Sequence, residues 1–323
     1  MRSSQPDAQI KKQPGTAQAR TQSGSVAMAR RISGRNRFIE RDFAGYLYIA
    51  PAFLVVGVFF FCPLGLLIWM ALHDWPLLGK PQFQGVANFA ALFQDTTFWE
   101  SFWFTAKYTM VITPAIFLLA YGLALLINSR APGTGVFRTI YFLPVVIGLG
   151  TASLLWVWLL NDQVGMLHRI LVSWGWLREP ALANGNTAFL AVIAMVIWKT
   201  VGFTMVLLLV GMQAIPNDLY EAARIDGASW WAQQLNITFP LLRATFALAL
   251  IMSVVGSFLA FDQFYIMTGG GPDNSTITVV YWIYRASFTY FKLGYGAAMS
   301  LVLMAGLTIL SAFQLLILRE RND

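Results

Sequence analysis

The sequence predicts an all-α membrane protein of about six transmembrane helices, and three observations carry that reading. Of its 323 residues, 57% are hydrophobic and 11% charged, whereas a soluble domain carries about a quarter charged residues. About six apolar runs are long enough to cross ~30 Å of hydrocarbon. Basic residues gather at the two ends and in one short turn, as they do in chains oriented in a bilayer.

The chain opens on a basic tail, residues 1–40, rich in Ser, Gln, Gly, Ala and Arg. Residues 1–44 hold Arg2, Lys11, Lys12, Arg20, Arg30, Arg31, Arg35, Arg37 and Arg41 against Asp7, Glu40 and Asp42, so +6 of the formal +7 lies there. Such a composition buries too little to offset ordering entropy, so the tail is expected to be disordered. Beside a membrane span its charge points to anionic lipid rather than nucleic acid. The first apolar run is too long for the core of a cleavable signal peptide.

The transmembrane body follows over 41–323. Its predicted spans are about 45–72, 104–127, 139–160, 187–212, 241–267 and 296–318. The turn 128–138 carries Arg130 and Arg138 without an acid, and Arg319 and Arg321 close the chain. Both termini and that turn are therefore expected in the cytoplasm. Alternation puts 213–240 there too, although Asp218, Glu221 and Asp226 face only Arg224 in it. That mismatch points to a duty other than topology. The opposite segments 73–103 and 268–295 are rich in aromatics, which suits an interfacial belt and also a docking face for an extracytoplasmic partner.

Enzyme chemistry finds little support. Cys62 is the only cysteine and is expected to be a small buried apolar residue. His73 and His168 stand apart, with no metal-ligand or triad spacing. No phosphate-binding Gly-rich loop of the GxxxxGK[ST] type occurs, so this chain is expected to bind no cofactor and to hydrolyse no ATP itself.

Residues 213–240 read QAIPNDLYEAARIDGASWWAQQLNITFP. Pro216 suits a helix start, and Asp218 and Glu221 sit early, where the helix dipole favours anions. Gly227 suits the stop, and Ser229 can cap a second short helix ending before Pro240. Ala222 and Ala223 would let a partner backbone approach closely.

The string Glu221-Ala222-Ala223, then Asp226-Gly227-Ala228, then Ile237 and Pro240, resembles the EAA motif of importer permeases; Gln234 departs from it where the family often has an aromatic. Flanking pieces agree: Trp198-Lys199, Gly202-Phe203, Phe261-Asp262, Thr268-Gly269-Gly270-Gly271-Pro272, Asn88-Phe89, Phe142-Leu143-Pro144 and Gly294-Tyr295-Gly296. Together they resemble, over about 40–320, ATP-binding-cassette carbohydrate permeases of the maltose and glycerol-phosphate type. The resemblance implies a type I importer permease of the bacterial inner membrane. It implies a second permease, two ATPase subunits that hold the ATP and Mg, and an extracytoplasmic solute-binding protein. It also implies that Glu221, Ala222, Ala223, Asp226 and Gly227 belong to a coupling helix docked on an ATPase.

Polar and aromatic groups inside apolar spans are candidates for the solute path. These are Lys199, Asp262, Gln263 and Trp156, with Gly202 added by position in the family pattern. Each has a plainer alternative: Lys199 pairs with Asp262 or snorkels, and Trp156 and Trp158 anchor the interface. Three other function classes compete with this reading, a channel-like or purely structural membrane protein among them. A secondary transporter should show internal repeats, and a membrane enzyme should cluster acids or histidines; neither pattern is clear here.

Overall fold

In the computed structural model, residues 48–128 and 133–318 are described. The expected tail over 1–40, Arg130, Arg319 and Arg321 lie outside them. The chain divides into two units, 1–66 and 67–323.

Helix α1, Tyr48–Ala71, carries a π-turn at Gly57–Phe61 and contributes Tyr48–Leu66 to the first unit. In that stretch every residue except Gly57 and Leu64 is exposed. Cys62 is exposed as well, which corrects the expectation of a buried thiol. Only apolar side chains suit such a surface, and lipid is the solvent they suit.

In the second unit the end of α1 leads into a two-stranded hairpin. Strand β1, His73–Asp74, pairs antiparallel with β2, Gln82–Phe83. Helix α2, Ala87–Gln94, ends at Asp95, whose carboxylate caps α3, Thr96–Asn128, by accepting from the Thr97 and Phe98 N–H groups. Helix α3 starts well before the predicted residue 104. Hydropathy marks only what hydrocarbon would cover, and the Asp95 cap starts the helix earlier.

The predicted third span is not one rod. It is α4, Thr134–Val146, and α5, Leu149–Leu159, set at 99° to each other. Ile147 and Gly148 take extended ψ values of 136° and 145° and break the helical ladder. Helix α6, Met166–Ser173, and a loop then lead to α7, Gly185–Gln213, capped by the Asn184 side chain. Helix α7 is the central post of the unit. Val192, Met195, Met205 and Leu208 on it are fully buried against α3, α5, α10 and α11.

Beyond α7 come α8, Asn217–Ile225, and α9, Trp230–Leu241. Helix α10, Arg243–Phe258, leaves α9 at 69°. The predicted fifth span also breaks, at Leu259–Phe261, before α11, Asp262–Met267. Helix α12, Val279–Tyr284, ends in a π-turn, and α13, Leu293–Leu318, closes the described chain. Among the described residues α1, α3, α7 and α13 are each long and apolar enough to cross a membrane. The bent pairs α4–α5 and α9–α10 would bring the count to six.

Candidate coupling loop and solute cavity

Helix α8 is closed at both ends by the residues its sequence places there. Pro216 precedes it, Asp218 lies in its first turn and Arg224 in its last. Gly227 sits at φ +77°, the left-handed region open to glycine. Its N–H reaches the Arg224 carbonyl at 3.1 Å, and the Ala228 N–H reaches the Ala223 carbonyl at 2.8 Å. This is the double closure of a Schellman stop. Ser229 Oγ then accepts from the Ala232 N–H at 3.3 Å and starts α9.

The two faces of α8 differ. Asp218, Glu221, Ala222 and Ile225 share one exposed face at helical spacing, with Ile225 86% exposed. Asp226 and Gly227 continue that surface. On the other side Tyr220 and Ala223 are half-buried, so of the two alanines only Ala222 is fully presented. Tyr220 shares a hydrogen bond with Thr238 on α9, 3.0 Å between the hydroxyls. Gln233 Nε2 donates to the Ala228 carbonyl at 3.0 Å.

Gln234 explains how the loop holds to the bundle. Only 6% of it is exposed, and its Oε1 accepts from the Tyr121 hydroxyl of α3 at 2.8 Å. It begins a π-turn, Gln234–Thr238, whose closing bond runs from the Phe239 N–H to the Gln234 carbonyl. The widened turn lets α9 continue through Pro240, where the sequence predicts an end, because the proline's missing N–H falls beside a register that has already changed.

A second site lies inside the bundle. A cavity of about 290 Å³ is lined by Lys199 and Gln263 together with Tyr108, Thr200, Thr204, Ser253 and Ser257. Gln263 is 3% exposed, and its Oε1 has no hydrogen-bond partner among the described residues. A buried acceptor left open costs about 1–3 kcal/mol, which is the condition of a group waiting for a ligand or water. Thr113 of α3 and Ser253 of α10 share a hydrogen bond at 3.2 Å beside it.

The other expected path residues are placed elsewhere. Gly202 is buried where α7 crosses α4, and a Cβ there would collide with the Tyr141 carbonyl. Trp156 packs on Trp198, ring centroids 6.0 Å apart. Asp262 is half-buried in the first turn of α11. Lys199 does not pair with it: among the described residues no ion pair joins the two, and the ammonium donates to the Val145 carbonyl. The serine and threonine lining was missed by sequence reasoning. A signal existed, since Thr200 and Thr204, and Ser253 and Ser257, each repeat at i, i+4 in otherwise apolar helices.

The chain has relatives in sequence and in fold. Residues 118–322 match the family described as binding-protein-dependent transport system inner membrane component. The sn-glycerol-3-phosphate transport system permease protein of Agrobacterium fabrum is 35% identical over 282 residues, covering 85% of this chain and 94% of that protein. The trehalose/maltose transport system permease protein of Thermococcus litoralis is 34% identical over 269 residues, covering 83% and 90%. A bacterial ABC transporter that imports the acidic polysaccharide alginate shares the fold, with a TM-score of 0.77 at 23% identity over 89% of this chain and 99% of that one. The chain therefore belongs to the family of inner membrane components of binding-protein-dependent transport systems.

Proposed function

We propose that this chain is the permease subunit of an ATP-driven importer that brings a carbohydrate or carbohydrate-derived solute into the cytoplasm by alternating access. The single observation that carries the coupling part is the exposed face Asp218–Glu221–Ala222–Ile225. It is closed by Gly227 and tied through Gln234 to Tyr121 in a long apolar helix. A face presented on one side and bonded to a span on the other is what a lever needs. The carbohydrate part rests on the relatives named for glycerol phosphate and for trehalose and maltose.

In this reading ATP and Mg sit on two partner ATPase subunits, and α8 docks on one of them. Closure of the ATPases drags α8. The hydrogen-bonded unit α8–α9 passes the displacement to α3 and α10, and the bundle rocks between outward and inward access as rigid bodies. A second permease completes the path, and an extracytoplasmic binding protein delivers the solute. Residues 41–323 form the permease body in the inner membrane. The basic tail 1–40, against anionic lipid, and the C-terminus lie in the cytoplasm. Gln263 and the hydroxyls around it offer both donors and acceptors to a polyol inside the cavity.

The test is ATPase activity of the reconstituted complex, with binding protein and candidate sugars, for wild type, Glu221→Lys and Gly227→Pro. Stimulated hydrolysis in wild type that is lost in both variants supports the reading. Variants that assemble and couple normally overturn the role of α8, and wild-type hydrolysis that binding protein and sugar do not stimulate favours a transporter that needs no ATPase.

A further inference from the structure

At the end of α10 away from the coupling loop, a pocket of about 410 Å³ opens between α11, the Gly-rich loop and α12. Its walls include Tyr265, Tyr281 and Tyr284, with Asp273, Asn274 and Arg285 at the polar side. We propose that this pocket is an outer saccharide site, where a sugar is held against tyrosine faces before it enters the inner cavity. The inference rests on the reading that the chain conducts a carbohydrate.

The pocket is built rather than incidental. Tyr281 donates its hydroxyl to the Gly269 carbonyl at 3.0 Å, and Thr276 Oγ1 donates to the Gly271 carbonyl at 2.8 Å. Thr278 Oγ1 donates to the Ala260 carbonyl at 2.7 Å and fastens the start of α12 to the end of α10. Gly270 lies at φ +82°, where a Cβ would press on Ile277 and Tyr281, so the loop wraps as tightly as a backbone allows. Asp273 and Asn274 both hold left-handed φ, +51° and +61°, which these two residue types tolerate. Arg285 Nη1 donates to Asn274 Oδ1 at 2.9 Å and fixes the polar side.

The chemistry of this wall selects the ligand class. A pyranose has a flat C–H face and a rim of hydroxyls. Tyr265 and Tyr284 meet edge to face, ring centroids 5.5 Å apart with 65° between their planes, and Phe261 stacks on Tyr265; the part of Tyr265 left exposed, 44% of it, is the apolar surface with a hydroxyl edge that a sugar can meet. Asp273 is an acceptor, Arg285 a donor and Asn274 both, the complement a hydroxyl rim requires. One acid and one base in the same pocket leave no strong field, so selection falls on shape and hydroxyls rather than on net charge. The volume lies in the range of small-ligand pockets. The position fits too: the short helix α11 places Gln263 in the wall of the inner cavity and Tyr265 in the wall of this one.

The experiment uses the whole transporter complex in nanodiscs with two probes, diazirine-bearing maltotriose and diazirine-bearing trehalose, and maps labelled peptides by mass spectrometry. Labelling within 265–289 is expected, reduced up to about tenfold by Tyr265→Ala, since one aromatic contact is worth roughly that factor, and by a similar amount by Asn274→Ala, since one hydrogen bond is worth about as much. Tyr281 is left intact because it holds the loop. Labels confined to α7 and α10, or labelling unchanged in both variants, would overturn the proposal. So would a Tyr265→Ala complex that labels normally but binds the binding protein more weakly, which would make the pocket a protein-docking surface. Failure of the transport reading shows separately, as wild-type ATPase activity that binding protein and sugar do not stimulate.

Discussion

The Lys199 ammonium on α7 donates to the Val145 carbonyl, 3.3 Å away, at the broken end of α4. The elbow at Ile147–Gly148 ends the ladder, so the last carbonyls of α4 lack their usual intrahelical donors. A cation at a helix C-terminus satisfies one of them and complements the helix dipole. Lys199 thus braces the elbow from a helix 54 positions along the chain.

Replacing Lys199 with Met is expected to lower the thermal midpoint of the complex, because a charge-assisted bond worth ~1.5–3 kcal/mol is lost. Lys199→Arg should restore most of it. The check is thermal unfolding in nanodiscs beside uptake of one neutral and one anionic solute. An unchanged midpoint with loss of anion uptake alone would assign Lys199 to the solute instead.

Gly227→Ala should cost about 1–2 kcal/mol, the expense of holding an L side chain in the left-handed region. Gly227→Pro should do more, since its φ is incompatible with +77° and it removes the N–H that closes α8 on Arg224. Stimulated ATPase activity should fall in that order while the bundle remains folded.

The Tyr121–Gln234 bond gives a two-residue test of the lever. Tyr121→Phe and Gln234→Leu should each reduce solute moved per ATP hydrolysed, with ATPase subunits still bound. In a double-mutant cycle their effects should be non-additive, by about 0.5–3 kcal/mol, because one bond connects them. Additive effects would place the coupling elsewhere.

Gln263→Leu should change stability little, by about 0.5–1.5 kcal/mol at most, since it removes a buried acceptor that has no partner together with the amide's hydrogen bond to Tyr108. Transport should nevertheless fall. A drop in both would make Gln263 a structural residue.

Gly202→Ala is expected to damage assembly rather than solute recognition. The added Cβ meets the Tyr141 carbonyl, a backbone group that cannot step aside as a flexible side chain would. Overpacking of this kind costs ~1–3 kcal/mol or more. Reduced yield and midpoint are the expected readouts, with an unchanged apparent KM in whatever complex does form.

Much of this protein was determined by the sequence alone. Lipid as solvent followed from composition. The helix–Gly–helix loop followed from Pro216, Gly227 and Ser229, whose backbone preferences act within a few residues and so need no tertiary context. What only the tertiary structure decided is where continuous apolar runs bend and which distant groups meet. The elbow at Ile147–Gly148 interrupts an apolar run, and hydropathy reports whether a residue suits lipid, not the direction in which its helix points. Gly202 is a close-packing position because α4 crosses it, and Gln234, which departs from the family motif, has its partner in Tyr121 on a distant helix. Cys62 looked buried because it is apolar, but in a bilayer the apolar residues also form the outer surface. Local conformational preference is written residue by residue, whereas the partner of a buried polar group is chosen by packing between segments far apart in the chain.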